Sequence, residues 1–173
     1  MKLQYKELLP ADFDPGSRVW IYQSNRLFSV REALQIEEIL ENFVATWKSH
    51  GAPVKGFATL FFGQFIVLMA DEQSTGVSGC STDSSVRMIK LIEETFNVEL
   101  FNRQLLAFVI KDKVEVLPLQ QLAYAWTHGF INANTLYFNN LVHTKEALEQ
   151  NWLIPVGQSW LVQKLPAAAT DAS

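Results

Sequence analysis

The most constraining stretch of the chain is FATLFFGQFIVLMA, residues 57–70. Two runs rich in aromatic and β-branched residues, FATLFF and FIVLMA, are separated only by Gly63 and Gln64. A Gly-X pair between such runs predicts a β-hairpin with a type II′ turn, whose backbone twist suits the flanking strands.

The flanking segments alternate between strand and helix signals. RVWIYQ (18–23) is β-rich, with Val19, Ile21 and Gln23 on one face. Ser29 and Glu32 form an S-x-x-E capping box that opens a helix. Leu34, Ile36, Ile39, Leu40, Phe43, Val44 and Trp47 then recur at helical spacing through to Lys48, and His50, Gly51 and Pro53 make a stop signal. Gly76, Gly79, Ser74 and Ser78 mark residues 71–80 as a loop. A second helix is predicted from about Thr82 to Asn97, with Val86, Ile89, Ile92 and Phe96 inward. LLAFVIK and KVEVL form another hairpin around Asp112.

The order to residue 110 is β-α-β-β-α-β, the pattern of a ferredoxin-like sandwich, so the predicted class is α+β. A fifth, antiparallel strand extends the sheet. Pro118 opens a short helix that ends at Gly129, and TKEALEQNW (144–152) predicts another, together a C-terminal helical extension. At this length folding buries roughly 70% of the surface exposed by the unfolded chain, so no disulfide or metal is needed. A single domain over 1–165 is expected, with PAAATDAS (166–173) a disordered tail.

Charge and apolar patterning exclude several roles. A net charge of −4 argues against nucleic-acid binding through a basic surface. MKLQYKELLPADFD lacks the apolar core of a signal peptide, and no apolar run approaches the roughly 20 residues that cross a bilayer. Cys80 is the single cysteine and has no internal disulfide partner. The expected location is the cytoplasm. His50, His128 and His143 are far apart and fit no metal-ligand spacing, so neither metal nor cofactor is expected.

In the predicted topology, His50 and Gly51, the pair Asp71 and Glu72, the Cys80 loop and Arg18 meet at one end of the sheet. Arg26, the Gly63 turn and Arg103 lie at the other. The leading expectation uses GCSTDSS (79–85) as a binding loop for a small anion. Gly79 would shape the backbone, Ser81 and Thr82 would donate hydrogen bonds beside Asp83 at a helix start, and Arg18 or Arg87 would supply charge. Asp83 counts against it, because its carboxylate would compete for the same amides; as an N-cap, it or its neighbours would also account for the polar cluster. The alternative is a thiol enzyme: Cys80 as nucleophile favoured by a helix N-terminus, His50 as base, Asp71 or Glu72 as orienter. Its bland counterpart is a buried Cys80 and a helix-capping His50. Trp20, Trp47 and Trp126 are more in keeping with a core. Trp152 and Trp160, flanking Pro155 and Gly157, open a third reading, an exposed aromatic patch that binds a protein partner or builds a homo-oligomer.

SRVWIYQSNRLF, WKSHG, VSGCSTDSSVRMIK, LFNR and the late FNNLV and TKEALEQNW occur in this order between Ser17 and Trp160. In these motifs the chain resembles an uncharacterised family of small bacterial proteins that often carry the label "ABC transporter ATPase". The resemblance implies no mechanism. ATP hydrolysis of that kind needs a G-x-x-x-x-G-K-[ST] loop, and no glycine of this chain precedes a lysine. VSGCS only faintly resembles the L-S-G-G-Q signature of those ATPases.

Overall fold

The computed structural model describes residues 1–73 and 79–166, and of residues 79–81 the backbone alone. It is α+β, with antiparallel sheets and helices. Two compact units divide the chain. The first comprises Leu3–Asn102 and Val142–Glu149; the second comprises Met1–Lys2, Arg103–Leu141 and the chain from Gln150.

The first unit is built on β1 (Arg18–Gln23), α1 (Val30–Thr46), the short pair β2 (Lys48–Ser49) and β3 (Ala52–Pro53), β4 (Lys55–Phe61), β5 (Phe65–Asp71) and α2 (Gly79–Phe96). Its main sheet has the order β1-β5-β4 and is antiparallel throughout. Central β5 is buried along its whole length, as its unbroken apolar run requires. Ile36 and Leu40 of α1 meet Met88, Ile89 and Ile92 of α2 over Ile66 and Leu68 of β5. Both helices therefore cover the same face of the sheet.

The capping box at Ser29 forms, with Glu32 N donating to Ser29 Oγ at 3.1 Å and Ser29 N to Glu32 Oε2 at 2.8 Å. Helix α1 ends at Thr46, two residues before the expected end, because Trp47 is extended. His50 and Gly51, expected as its stop signal, instead have positive φ (50° and 80°) and turn the β2–β3 hairpin. Leu34, expected inward, is 68% exposed: it lies off the stripe through Ile36, Leu40 and Phe43. The β4–β5 hairpin is present, but its turn is one residue earlier than expected. Phe62 and Gly63 both have positive φ, giving a type I′ geometry closed by Gln64 N to Phe61 O at 3.1 Å. Tyr5 packs edge-on against the Phe62 ring, which helps hold this unusual conformation for an aromatic residue.

Residues 105–110, expected as the fourth strand of a single sheet that a fifth extends, pair elsewhere. They form β6 (Leu105–Ile110) of the second unit, in the sheet β7-β6-β8-β9 with β7 (Lys113–Pro118), β8 (Leu136–Phe138) and β9 (Leu153–Pro155). The outer edge of β1, where a fourth ferredoxin-type strand would pair, is met by residues 143–144: Val19 N donates to His143 O at 3.0 Å, and Arg18 bridges Thr144. Hydrophobic pattern predicts a strand but not which edge receives it. The second unit also carries α3 (Leu122–Thr127), and Leu106, Phe108, Leu122, Ile131 and Val156 form its core. The expected 144–152 helix is α4 (Lys145–Asn151). Among the described residues no helix is long and apolar enough to cross a membrane.

Candidate functional site

Three strand ends define one end of the first sheet. Arg18 opens β1, Lys55 opens β4 and Asp71 closes β5, with Arg18 opposite Ala70 and Lys55 opposite Asp71. Helix α2 starts from this end, because its last turn is held at the other, where Arg26 Nη2 donates to Phe96 O at 2.7 Å. The His50 turn, between α1 and β4, belongs to the same end, and β2 packs against α2. So Arg18, His50, Asp71, Glu72 and the start of α2 share one end, and Arg26 and Gly63 share the other. Arg103 belongs to the second unit.

The shared end has two chemically different faces, because neighbouring strand residues point to opposite sides. On the helix face, the Arg18 guanidinium lies 4.9 Å from the Trp20 ring centre, and Trp20 meets Trp47 edge-on at 6.1 Å. Arg18 Nη1 also contacts Glu72 Oε1 at 3.4 Å, with both side chains substantially exposed. On the opposite face Asp71, only 5% exposed, accepts from Gln73 N at 3.1 Å and Asp14 N at 3.2 Å. The Gln73 amide, helped by the Asp14 amide and the Lys55 ammonium 3.5 Å away, holds its carboxyl below the usual range despite burial. Lys55 donates to Asp12 O at 2.8 Å and lies 4.8 Å from the Phe13 ring centre. An open cleft of about 450 Å³ lies between Lys55, Asp71, Gln73 and residues 11–14. Sequence reasoning passed over Asp12, Asp14, Lys55 and Gln73. The available signal was PADFDPG (10–16), where Asp14 Oδ1 accepts from Gly16 N at 2.8 Å in an Asx turn.

The two expected carboxylates are therefore separated in role: Glu72 holds Arg18, while Asp71 is taken up by Lys55 and two amides. His50 is exposed and makes no hydrogen bond or ion pair among the described residues. The Cys80 and Ser81 side chains lie outside the described residues, so the Cys80–His50 pairing does too.

Helix α2 begins at Gly79, three residues before the expected start, which changes the roles open to Thr82 and Asp83. The free amides of a helix start are those of its first residues, so Thr82 and Asp83 lie past them and Asp83 is not the cap. Thr82 O accepts from the buried Ser85 hydroxyl at 2.7 Å, and Asp83 is exposed. Arg87 is exposed without an ion-pair partner among the described residues, but it lies eight positions after Gly79, about 12 Å along the axis. Among the described residues no three His, Cys, Asp or Glu side chains are grouped to hold a metal ion.

The aromatic reading of the C-terminal third needs correction. Trp152 is fully buried, with Nε1 donating to Asn140 Oδ1 at 3.0 Å, and half-buried Trp160 donates to the Tyr137 hydroxyl at 3.1 Å. Neither indole forms an exposed patch, because each ring covers core while its N–H finds a partner.

No family model matches the chain, nor does any curated protein or solved structure.

Proposed function

We propose that the chain binds a small anionic ligand, in the cytoplasm, where β5 leads through residues 74–78 into α2. The amides of the first turn of α2, from Gly79, and the Ser81 hydroxyl donate to the anion, with Thr82 beside them, and Arg18 supplies the charge. We also read the β-α-β-β-α order of the first unit as a partial ferredoxin-like sandwich, which brings the end of α1 and the start of α2 to one edge. The resemblance to the small bacterial family belongs to this proposal, since its most distinctive stretch, VSGCSTDSSVRMIK, covers the same segment.

One observation carries the reading. Arg18 lies on the helix face at the sheet end from which α2 departs, is oriented by Trp20, and has only the exposed Glu72 carboxylate as ion-pair partner among the described residues. An exposed pair of this kind is worth at most about 1 kcal/mol, so an incoming anion can displace it. Arg87 is too far along the helix to share the same small ligand.

Thermal melting with phosphate, sulfate, citrate and short carboxylates, at matched ionic strength, tests the proposal. A ligand at 100 times its Kd adds about 2.7 kcal/mol, a shift of several degrees for a chain this size. Arg18→Ala is expected to abolish the shift and Cys80→Ser to preserve it. A shift lost in Cys80→Ser but kept in Arg18→Ala would transfer the function to the thiol, and no shift with any anion would sink both the site and the role of Arg18.

A further inference from the structure

Arg18 and Glu72 are both held in position by their surroundings. The Arg18 backbone has a neighbour on each side: it pairs with Ala70 of β5 and bridges Thr144, and Val19 N donates to His143 O at 3.0 Å. The Arg18 guanidinium lies over the Trp20 ring, which rests edge-on against Trp47, itself buried. Glu72 is placed through its two chain neighbours. Asp71 Oδ2 accepts from Asp14 N at 3.2 Å, and Gln73 Nε2 donates to Asp14 Oδ2 at 2.8 Å. Gln73 N also donates to Asp71 Oδ1 at 3.1 Å, which closes the turn across Glu72. Both flanks of Glu72 are thus tied to Asp14, and its own carboxylate has Arg18 as its one ion-pair partner among the described residues. That contact uses Nη1 alone, at 3.4 Å, with both side chains substantially exposed.

We propose, building on the anion site proposed above, that Glu72 is a tethered competitor for Arg18 and confines the site to sulfate- or phosphate-type anions. A carboxylate held by the chain acts at an effective concentration on the order of millimolar. A free monocarboxylate brings Arg18 the same group without the tether, so at lower concentrations it gains nothing from the exchange. A tetrahedral anion does gain. Two of its oxygens can meet both terminal nitrogens of a guanidinium, where Glu72 meets one, and a third remains for the first-turn amides of α2. A carboxylate that meets both nitrogens has no oxygen left for those amides. Competition also differs from a diffuse field in what its removal does. Apparent affinity scales with the fraction of Arg18 that is free, so removing a competitor strengthens every anion by one common factor. Removing a merely nearby negative charge favours a doubly charged anion over a singly charged one.

Thermal melting of the full chain in sulfate, methanesulfonate and acetate, at matched ionic strength, provides the test. The rise of the melting temperature with anion concentration gives each affinity, for the doubly charged, the singly charged and the carboxylate probe in turn. Wild type is expected to respond to sulfate and methanesulfonate at lower concentrations than to acetate. Glu72→Gln, at an exposed position, is expected to bind sulfate and methanesulfonate more tightly by the same factor, up to about fivefold, the limit set by an exposed pair. Asp12→Asn removes an exposed carboxylate beside Lys55 at the same sheet end and is expected to leave both affinities unchanged. Equal sulfate affinity in wild type and Glu72→Gln would overturn the competitor role while leaving the anion site standing. So would a gain larger for sulfate than for methanesulfonate, or one matched by Asp12→Asn. Acetate binding as tight as sulfate binding in wild type would overturn the selectivity. No shift in either wild type or Glu72→Gln with any of the three would remove the anion site itself, and the competitor with it.

Discussion

Arg26 grips the Glu32 carboxylate with both terminal nitrogens, each at 2.9 Å, while the same carboxylate closes the capping box on Ser29. The Arg26 hydrogen bonds, followed by the Ser29 amide, pull the Glu32 pKa down to about 2. A depressed carboxylate stabilises the fold above its unfolded value of about 4.3 and loses that contribution as pH falls through its folded value. Glu32→Gln is therefore expected to lower stability by about 1 kcal/mol at neutral pH. The difference from wild type should shrink between pH 4 and pH 2, as read by urea denaturation across that window.

Gly56 allows Trp47 to lie against β4. A Cβ added there would sit 2.7 Å from Trp47 Cε3, and Trp47 is buried beside Val54 and Ala70. Gly56→Ala should cost about 1–3 kcal/mol through overpacking, measured as a lowered denaturation midpoint. Loss of the native Trp fluorescence signal well before the midpoint would show local displacement of Trp47.

Ser17 and Tyr5 are opposite cases of buried hydroxyls. Ser17 Oγ, in a residue 2% exposed, has no hydrogen-bond partner among the described residues, whereas the Tyr5 hydroxyl donates to Leu148 O at 2.6 Å. Ser17→Ala is expected to be neutral or stabilising by up to about 1 kcal/mol, since it removes an unsatisfied polar group. Tyr5→Phe should cost about 1–2 kcal/mol by stranding the Leu148 carbonyl. Thermal melts of the two variants should move in different directions or differ clearly in size.

Asp71→Asn leaves Lys55 without its buried partner and turns an amide toward the Gln73 or Asp14 N–H. A loss of about 1–3 kcal/mol is expected at neutral pH. Because the Asp71 pKa is lowered, the wild-type advantage exists above the unfolded carboxylate value of about 3.9 and declines as acid protonates the folded group. Paired stability curves at pH 7 and pH 3 check both size and sign.

Local chemistry made several elements readable from residues alone. The capping box announced α1, two apolar runs about a glycine announced the β4–β5 hairpin, and the Asp112 turn announced β6 and β7, because these signals act within a few residues. The grouping of Arg18, His50, Asp71, Glu72 and the start of α2 at one end followed from element order. Longer-range choices were not readable. Only the folded chain decided that residues 143–144, and not β6, meet the edge of β1, since β-rich segments have no local mark of their partner. It also separated Asp71 from Glu72, through one residue of pleat and the competing pull of Lys55 and Arg18. Burial of Trp152, and exposure of Tyr124 and Phe130, depended likewise on which surfaces tertiary packing covers. Hydrophobicity drives side chains toward an interior, but the interior exists only once distant segments have met.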